Sequence, residues 1–302
     1  MVHKIHLFKL NQVVACTEEQ NILEATLAAG IEHTNACRGQ GKCSTCRVSI
    51  ISGIENCTDR TEDETLIANK LKLPRDIRLA CQTKVKGDIG IRRMVTDQLD
   101  LDIVKKQFSD NSQIVIGSQQ MLTIVFTDIE NYTTLAEKFP AYDVVHVLGR
   151  YYKIMNDVIV KNLGIISDVA GDGILSVFGV DKDCENSVLD AINSVREMNE
   201  MLELFNDYLQ KNFNIQFGIR AGIHYGSVIV GPFDTGSMKK IAVIGDPVNY
   251  ASRIESANKE FGTRQLLSQE AYEKVKKHYP DHRVYTTSLK GKTGEYNLIE
   301  LL

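Results

Sequence analysis

The sequence predicts an α+β protein made of two successive domains, and three observations carry that reading. With 302 residues the chain has room for two hydrophobic cores. Four of its seven cysteines, Cys37, Cys43, Cys46 and Cys81, fall into one spaced set in the first part of the chain. The remainder alternates apolar strand segments with long amphipathic helices, the order expected of a sheet covered by helices. Composition, 43% apolar and 25% charged, is that of an ordered globular protein. A net charge of −4 argues against nucleic acid or an anionic membrane as partner. No apolar run approaches the ~20 residues needed to span a bilayer. The first residues, Met1-Val-His-Lys-Ile-His6, lack the apolar core of a signal peptide, so a cytoplasmic location is expected.

In the first part, taken as residues 1–94, Lys4–Leu10 alternates as a strand and Gln12–Ala15 can return beside it. Thr17-Glu-Glu-Gln20 has the form of a capping box, followed by a helix with Ile22, Leu23, Leu27 and Ala28 on its apolar face and Gly30 at its end. Then comes Cys37-Arg-Gly-Gln-Gly-Lys-Cys43-Ser-Thr-Cys46, leading into a strand over Arg47–Ile51. Thr61-Glu-Asp-Glu64 opens another helix, and Cys81 lies in the strand-like Ile77–Thr83.

Three cysteines in one loop can wrap a cluster only where the backbone curls. Gly39 and Gly41 permit that and let N–H groups reach the sulfurs. Structural zinc is the alternative, weakened because zinc modules usually carry two C-x2-C knuckles and this segment has one. The pattern resembles the [2Fe-2S] ferredoxin family over about ninety residues, in the variant with five residues between the first two cysteines. That resemblance implies a β-grasp fold, a small mixed sheet gripping one helix, with Cys37, Cys43, Cys46 and Cys81 as iron ligands. Cys16, Cys57 and Cys184 match nothing in it and read as packing residues.

Residues 95–117 combine Thr96–Phe108, a polar turn at Ser109–Ser112 and the apolar Ile114–Ile116. This is too apolar for a floppy tether and is read as a connector that packs on one or both domains.

The part from 118 to 302 is organised around Ile124-Val-Phe-Thr-Asp-Ile-Glu-Asn-Tyr-Thr133 and Asp168-Val-Ala-Gly-Asp172-Gly-Ile-Leu-Ser-Val-Phe178. Asp128 ends an apolar strand; Asp172 sits between glycines before another. Two carboxylates at neighbouring strand ends suit divalent cations, whose shell phosphates can complete. A helix starting near Asn131 would aim N–H groups at an anion there. Taken singly, Asp128 can instead be a helix cap and Asp172 a turn residue. Tyr142–Leu163 and Ser187–Leu209 read as helices, the latter with an Ile192, Val195, Met198, Leu202, Phe205 and Leu209 stripe that belongs in a core. Strands are expected within Asn214–Val230, notably Ile215–Ile223, and over Lys240–Ile244. Asn249 and Arg253 then share one face at the start of a helix, a pair suited to sugar and phosphate. Gly291-Lys-Thr293 imitates the end of a phosphate-binding P-loop, but Thr286 stands where that motif needs glycine and no long helix follows. His224, after Ala221-Gly-Ile223, is taken as a surface or packing histidine.

Four segments in order, Phe126–Thr133, Ala170-Gly-Asp-Gly173, Ile244–Arg253 and Lys290-Gly-Lys292, resemble the catalytic domain of class III nucleotide cyclases across about 180 residues. The resemblance implies a ferredoxin-like α/β sandwich that forms a head-to-tail homodimer with composite active sites. Asp128 and Asp172, with Ile129, would hold two magnesium or manganese ions. Asn249 of the other chain would orient the ribose, Arg253 would stabilise charge at the phosphorus centre, and Lys290 would bind the terminal phosphates of ATP or GTP. The family reads the purine at two positions that here hold Asp168 and Ala242. Adenylate cyclases tend to have Lys with Asp or Thr there, and guanylate cyclases Glu with Cys; this chain has neither pair. The expectation is an adenylate cyclase, with GTP as the alternative substrate. A catalytically silent nucleotide-binding module is the competing class, and the cluster is expected to sense redox state or its own integrity.

Overall fold

The computed structural model describes residues 1–95, 118–130, 132–180, 186–234 and 239–302, and divides into two compact units, Met1–Ile116 and Gly117–Leu302. Nearly all of the expected connector, residues 96–117, lies outside the described residues, as do Asn131 and Cys184.

The first unit is a mixed five-stranded sheet with one helix against it. Its strands are β1 (Val2–Leu7), β2 (Gln12–Thr17), β3 (Arg47–Ser52), β4 (Ile77–Leu79) and β5 (Ile89–Arg93), in the order β2-β1-β5-β3-β4. Only β1 and β5 run parallel. Period-two alternation turns Ile5, Leu7, Val14 and Cys16 inward, where Ile22 and Leu23 of helix α1 (Ile22–Ala28) meet them. The strand β5, absent from the reading of the sequence, sits at the sheet's centre and buries Ile89 and Ile91.

The capping box of α1 lies four residues later than expected. Asn21 Oδ1 accepts from Glu24 N at 2.9 Å and Glu24 Oε2 accepts from Asn21 N at 3.0 Å. Thr17–Gln20 forms a turn instead, in which Gln20 Oε1 accepts from both Thr17 N and its hydroxyl. Asn21 is the cap because it stands extended immediately before the first helical residue, where its amide oxygen reaches the Glu24 N–H.

Helix α2 (Glu62–Leu71) is capped by Thr61 as expected. Its Glu64, however, turns inward to a bidentate pair with Arg78, at 2.9 and 2.8 Å, and also accepts from Leu79 N at 2.7 Å. Both partners are buried, so each charge relies on the other. The pair fastens α2 to the strand that leads into Cys81.

The second unit is one sheet in the order β12-β13-β11-β9-β6-β8-β7, with β10 paired to β9. The strands are β6 (Ser118–Ile129), β7 (Gly164–Ala170), β8 (Gly173–Phe178), β9 (Ile219–Asp234), β10 (Lys239–Ile244), β11 (Gln265–Ser268), β12 (His282–Thr287) and β13 (Tyr296–Leu301). Helices α4 (Ala141–Lys161), α5 (Ser187–Phe213) and α7 (Gln269–Val275) cover one face, preceded by the short α3 (Tyr132–Lys138). The core on that face joins Tyr151, Met155 and Ile159 to Val195, Met198, Leu202 and Phe205 and to inward residues of the central strands.

The expected α/β sandwich is completed by α6 (Asp246–Phe261), which lies on the opposite face of the sheet. A Cβ on Gly222 would stand 2.2 Å from Glu255 N and 2.3 Å from Ala251 O. Only glycine lets the helix backbone rest on β9 in this way. Asn258 Nδ2 then donates to Ala221 O at 3.0 Å and ties the helix down. The strand expected from Ile215 begins only at Ile219, because Asn206 of α5 takes both backbone groups of Phe217.

Removing one member of a buried ion pair strands the other charge. Glu64→Ala should therefore lower stability of the first unit by roughly 3–5 kcal/mol, read as a fall in urea midpoint for the cluster-loaded protein.

Candidate active site

The register of the second sheet brings two distant carboxylates together. Strand β6 runs between β8 and β9, pairing Thr127 with Ile174 and with Ala221, and Asp128 with Arg220. The β7–β8 hairpin turns on Gly171-Asp172, with Ala170 opposite Gly173. Asp172 thus meets the end of β6, 44 residues on from Asp128 in the chain. Its carboxyl is raised from 3.8 to about 6, by burial first and then by the charge of Asp128, while the N–H of Ile129 offsets part of the rise. Two carboxylates that repel one another at the rim of a sheet are an arrangement that a cation would relieve. Ile129 turns its side chain into the core and offers only its backbone to this place. Tyr152 reinforces the turn by donating its hydroxyl to the Gly171 carbonyl.

Asn249 and Arg253 stand one turn apart on α6, the first exposed and the second half-buried. A Cβ on Gly291 would lie 3.4 Å from Arg253 Nη2, so the loop between β12 and β13 rests against that guanidinium. Lys290 in this loop is exposed. Its neighbour Lys292 is the anchored lysine: Nζ donates to Asp246 Oδ2 at 2.6 Å and sits 4.5 Å above the Tyr250 ring. The ammonium holds the Asp246 carboxyl below its usual range. Among the described residues, no hydrogen bond or ion pair joins Asn249, Arg253 or Lys290 to Asp128 or Asp172.

Asp168 is exposed on β7, just past a bulge after Ile166, and its Oδ1 accepts from Val169 N at 3.1 Å. Ala242 is half-buried on β10, opposite Gly231. His224 is not at the surface. It is buried against Tyr250 with Nδ1 2.8 Å from Ser268 Oγ, and burial pushes it down to about 4.

In the first unit the loop from Cys37 to Cys46 curls because Arg38, Gly39 and Gly41 all have positive φ. The four thiols fall into two pairs. Cys46 and Cys81 approach to 3.5 Å, and Cys37 shares a hydrogen bond with Cys43. Cys37 is brought down to about 5 by the Cys43 thiol and then by backbone N–H groups of Lys42, Gln40 and Cys43. Cys81 comes down to about 7 through Cys46, the Gly41 N–H and Gln82. Cys43 and Cys46 move the other way, raised by Cys37 and Cys81 respectively and then by burial, so each pair favours one thiolate beside one thiol. Among the described residues no three His, Cys, Asp or Glu side chains converge on a single ion. Two pairs fit a two-iron cluster that takes two sulfurs per iron better than a zinc that draws all four together. Behind the loop, buried His33 donates from Nε2 to the Cys46 carbonyl at 3.1 Å. Cys16 and Cys57 stand apart from these thiols, with burial as the main cause that raises each.

A family model described as the adenylate and guanylate cyclase catalytic domain matches residues 114–299. The chain belongs to the adenylate and guanylate cyclase family. A second model, described as a 2Fe-2S iron-sulfur cluster binding domain, matches residues 5–86, so this cyclase-family chain carries a cluster-binding domain ahead of its cyclase domain. Over 184 residues it is 28% identical to adenylate cyclase 1 of Rhizobium meliloti, covering 61% of this chain and 28% of that protein. To the adenylate cyclase of Anabaena cylindrica it is 29% identical over 174 residues, covering 56% and 34%. The chain thus spans about a third or less of these two relatives. Among solved structures, a guanylyl cyclase aligns with a TM-score of 0.57 at 27% identity, covering 61% of this chain and 93% of that one. No helix among the described residues is long and apolar enough to cross a membrane.

The raised Asp172 has a pH signature. In metal-free protein its proton is held more tightly folded than unfolded, so its contribution to stability is fully present below 3.8 and is lost as pH rises through about 6. Asp172→Asn should abolish that segment of the stability profile. For the same reason, half-saturating manganese should climb as pH falls below about 6, because metal and proton compete for the carboxylates.

Proposed function

We propose that the chain is an adenylate cyclase that converts ATP to 3′,5′-cyclic AMP and pyrophosphate as a homodimer. The observation that carries this is the Asp128–Asp172 pair, set at adjoining strand ends in a chain of the cyclase family. In this reading the domains run 1–94 and 118–302, joined by residues 95–117.

Magnesium or manganese bound by Asp128 and Asp172 would acidify the 3′-hydroxyl and neutralise the transferring phosphoryl group. The remaining roles fall to side chains of the partner protomer. Asn249 orients the ribose. Arg253, half-buried and braced by the Gly291 backbone, presents a fixed guanidinium to the phosphorus centre. Lys290, exposed and free to reach outward, receives the terminal phosphates, while Lys292 holds their loop in place. A composite site suits the absence of any bond between these residues and the aspartates within the described part of one chain.

For the base, Asp168 can accept from the N6 amino group of adenine, and Ala242 offers no side-chain hydrogen bond. The adenylate cyclase names of the first two relatives support ATP. GTP is the second reading, because an acidic residue at position 168 also suits N1–H and the 2-amino group of guanine. The guanylyl cyclase among the aligned structures speaks for the same alternative.

The cluster domain is read as regulatory. Cyclisation consumes no electron, and the second part of the sequence contains no dinucleotide fingerprint to use one. Oxidation state or integrity of the cluster at Cys37, Cys43, Cys46 and Cys81 then serves as a signal.

The test is product formation by the cluster-loaded protein with ATP and GTP separately, in manganese and in magnesium, oxidised and then reduced by dithionite. Cyclic AMP is the expected product, at rates that differ on the order of fivefold or more between redox states. Cyclic GMP as the main product would transfer the assignment to GTP, equal rates would remove the regulatory role, and no product would leave a nucleotide-binding module. Arg253→Ala should lose roughly two to three decades of kcat, the usual cost of a positioned donor at the transition state.

A further inference from the structure

His33 is a buried imidazole with no part in nucleotide chemistry. It is 2% exposed, in the loop that leads from α1 to Cys37, and both ring nitrogens are engaged. Nε2 lies 3.1 Å from the Cys46 carbonyl oxygen, and Nδ1 lies 2.9 Å from Thr26 Oγ1. A carbonyl can only accept, so Nε2 carries the proton and Nδ1 accepts from the Thr26 hydroxyl. Burial brings the ring down to about 4, so it gives Cys46 a dipole and no charge. The Cys46 carbonyl is also a junction. It accepts from the N–H of Ala80, the residue before Cys81, at 3.3 Å, while the Ala80 carbonyl accepts from Leu23 N at 3.0 Å. Leu23 and Thr26 lie on the same helix, α1, and the Thr26 hydroxyl is 2.9 Å from the Leu23 carbonyl. Thr26, His33, Cys46, Ala80 and Leu23 therefore form a closed ring, in which His33 links the helix to a cysteine assigned to iron. An apolar side chain would fill this place without partners; an imidazole fits because both of its partners are supplied.

We propose that His33 is a positioning residue of the iron–sulfur site, which holds Cys46 at its spacing from Cys81 and raises the reduction potential of the cluster. The inference rests on the reading of Cys46 and Cys81, 3.5 Å apart at sulfur, as cluster ligands. Reduction adds an electron to a centre already surrounded by thiolates. An N–H dipole with its positive end toward a ligating residue favours that more negative state. A hydrogen bond behind a ligand also fixes its orientation, and losing one typically costs about 10–100-fold in affinity or activity. In the regulatory reading, the potential decides the redox poise at which the signal changes, so His33 sets that threshold.

The experiment uses the full chain with its cluster, titrated with dithionite against redox mediators. Absorbance follows the oxidised cluster and electron paramagnetic resonance the reduced one, so no turnover is needed. His33→Leu is expected to make reduction about tenfold less favourable, a potential about 59 mV lower for one electron. Thr26→Val keeps the imidazole but removes the hydroxyl that orients it, and is expected to shift the potential the same way by less. His33→Gln places an amide N–H where Nε2 stood and is expected to stay within about threefold of wild type. A space-filling role would not produce that rescue. Wild-type potentials in both His33→Leu and Thr26→Val, or a His33→Gln shift as large as that of His33→Leu, overturn the proposal. If His33→Leu takes up no cluster, the other two variants decide. A lowered potential in Thr26→Val with recovery in His33→Gln supports the proposal, and any other pair of values overturns it. A wild-type chain without the signal of a reduced two-iron cluster overturns the ligand reading itself, and this proposal with it.

Discussion

Repulsion between Asp128 and Asp172 is the constraint around which the second unit is arranged. Two carboxylates are brought to one place by β-sheet register, and one of them keeps its proton to about pH 6 in consequence. Folding alone would not favour that arrangement, since either residue could be replaced by a neutral one at less electrostatic cost. The sheet tolerates it because the surrounding parts are over-determined. Strand β6 is paired to β9 along its length and to β8 over Thr123–Thr127, the hairpin turn is fixed by Tyr152, and α6 is seated backbone against backbone on Gly222. Strain of this kind persists where a ligand relieves it.

The first unit solves the same problem with sulfur. Thiolates crowded in one loop repel, and the loop answers with N–H groups from Gln40, Gly41, Lys42 and Cys43. Positive φ at Arg38, Gly39 and Gly41 is the geometric cost of turning those donors inward. The buried Glu64–Arg78 pair then anchors the separate segment that supplies Cys81. In both units a charged site is held by backbone polarity and by ion pairs placed one layer behind it.

Those supporting layers were the least legible part of the chain. Lys290 stood out in the sequence beside Lys292, yet it is Lys292 that is anchored, by Asp246 and the Tyr250 ring. Glu64 read as part of a helix start, because its partner Arg78 is 14 residues away and carries no local signal. Arg220 passes unnoticed in the sequence, because Glu130 and Glu255 reach it from two other elements. His224 read as a surface or packing histidine, and the fold of α6 over it decides for packing.

By itself the sequence determined what local chemistry can write. The cysteine spacing, the two aspartates at strand ends, the Asn249–Arg253 helix face and the amphipathic stripe of α5 all depend on residues near one another in the chain. Period and spacing therefore reveal them. The tertiary structure alone decided that the Asp172 carboxyl is raised beside Asp128, on which face of the sheet α6 lies, and which charged side chains are buried together. Those are properties of residues that meet only when strands pair, and a Coulomb interaction depends on distance in space and not along the chain.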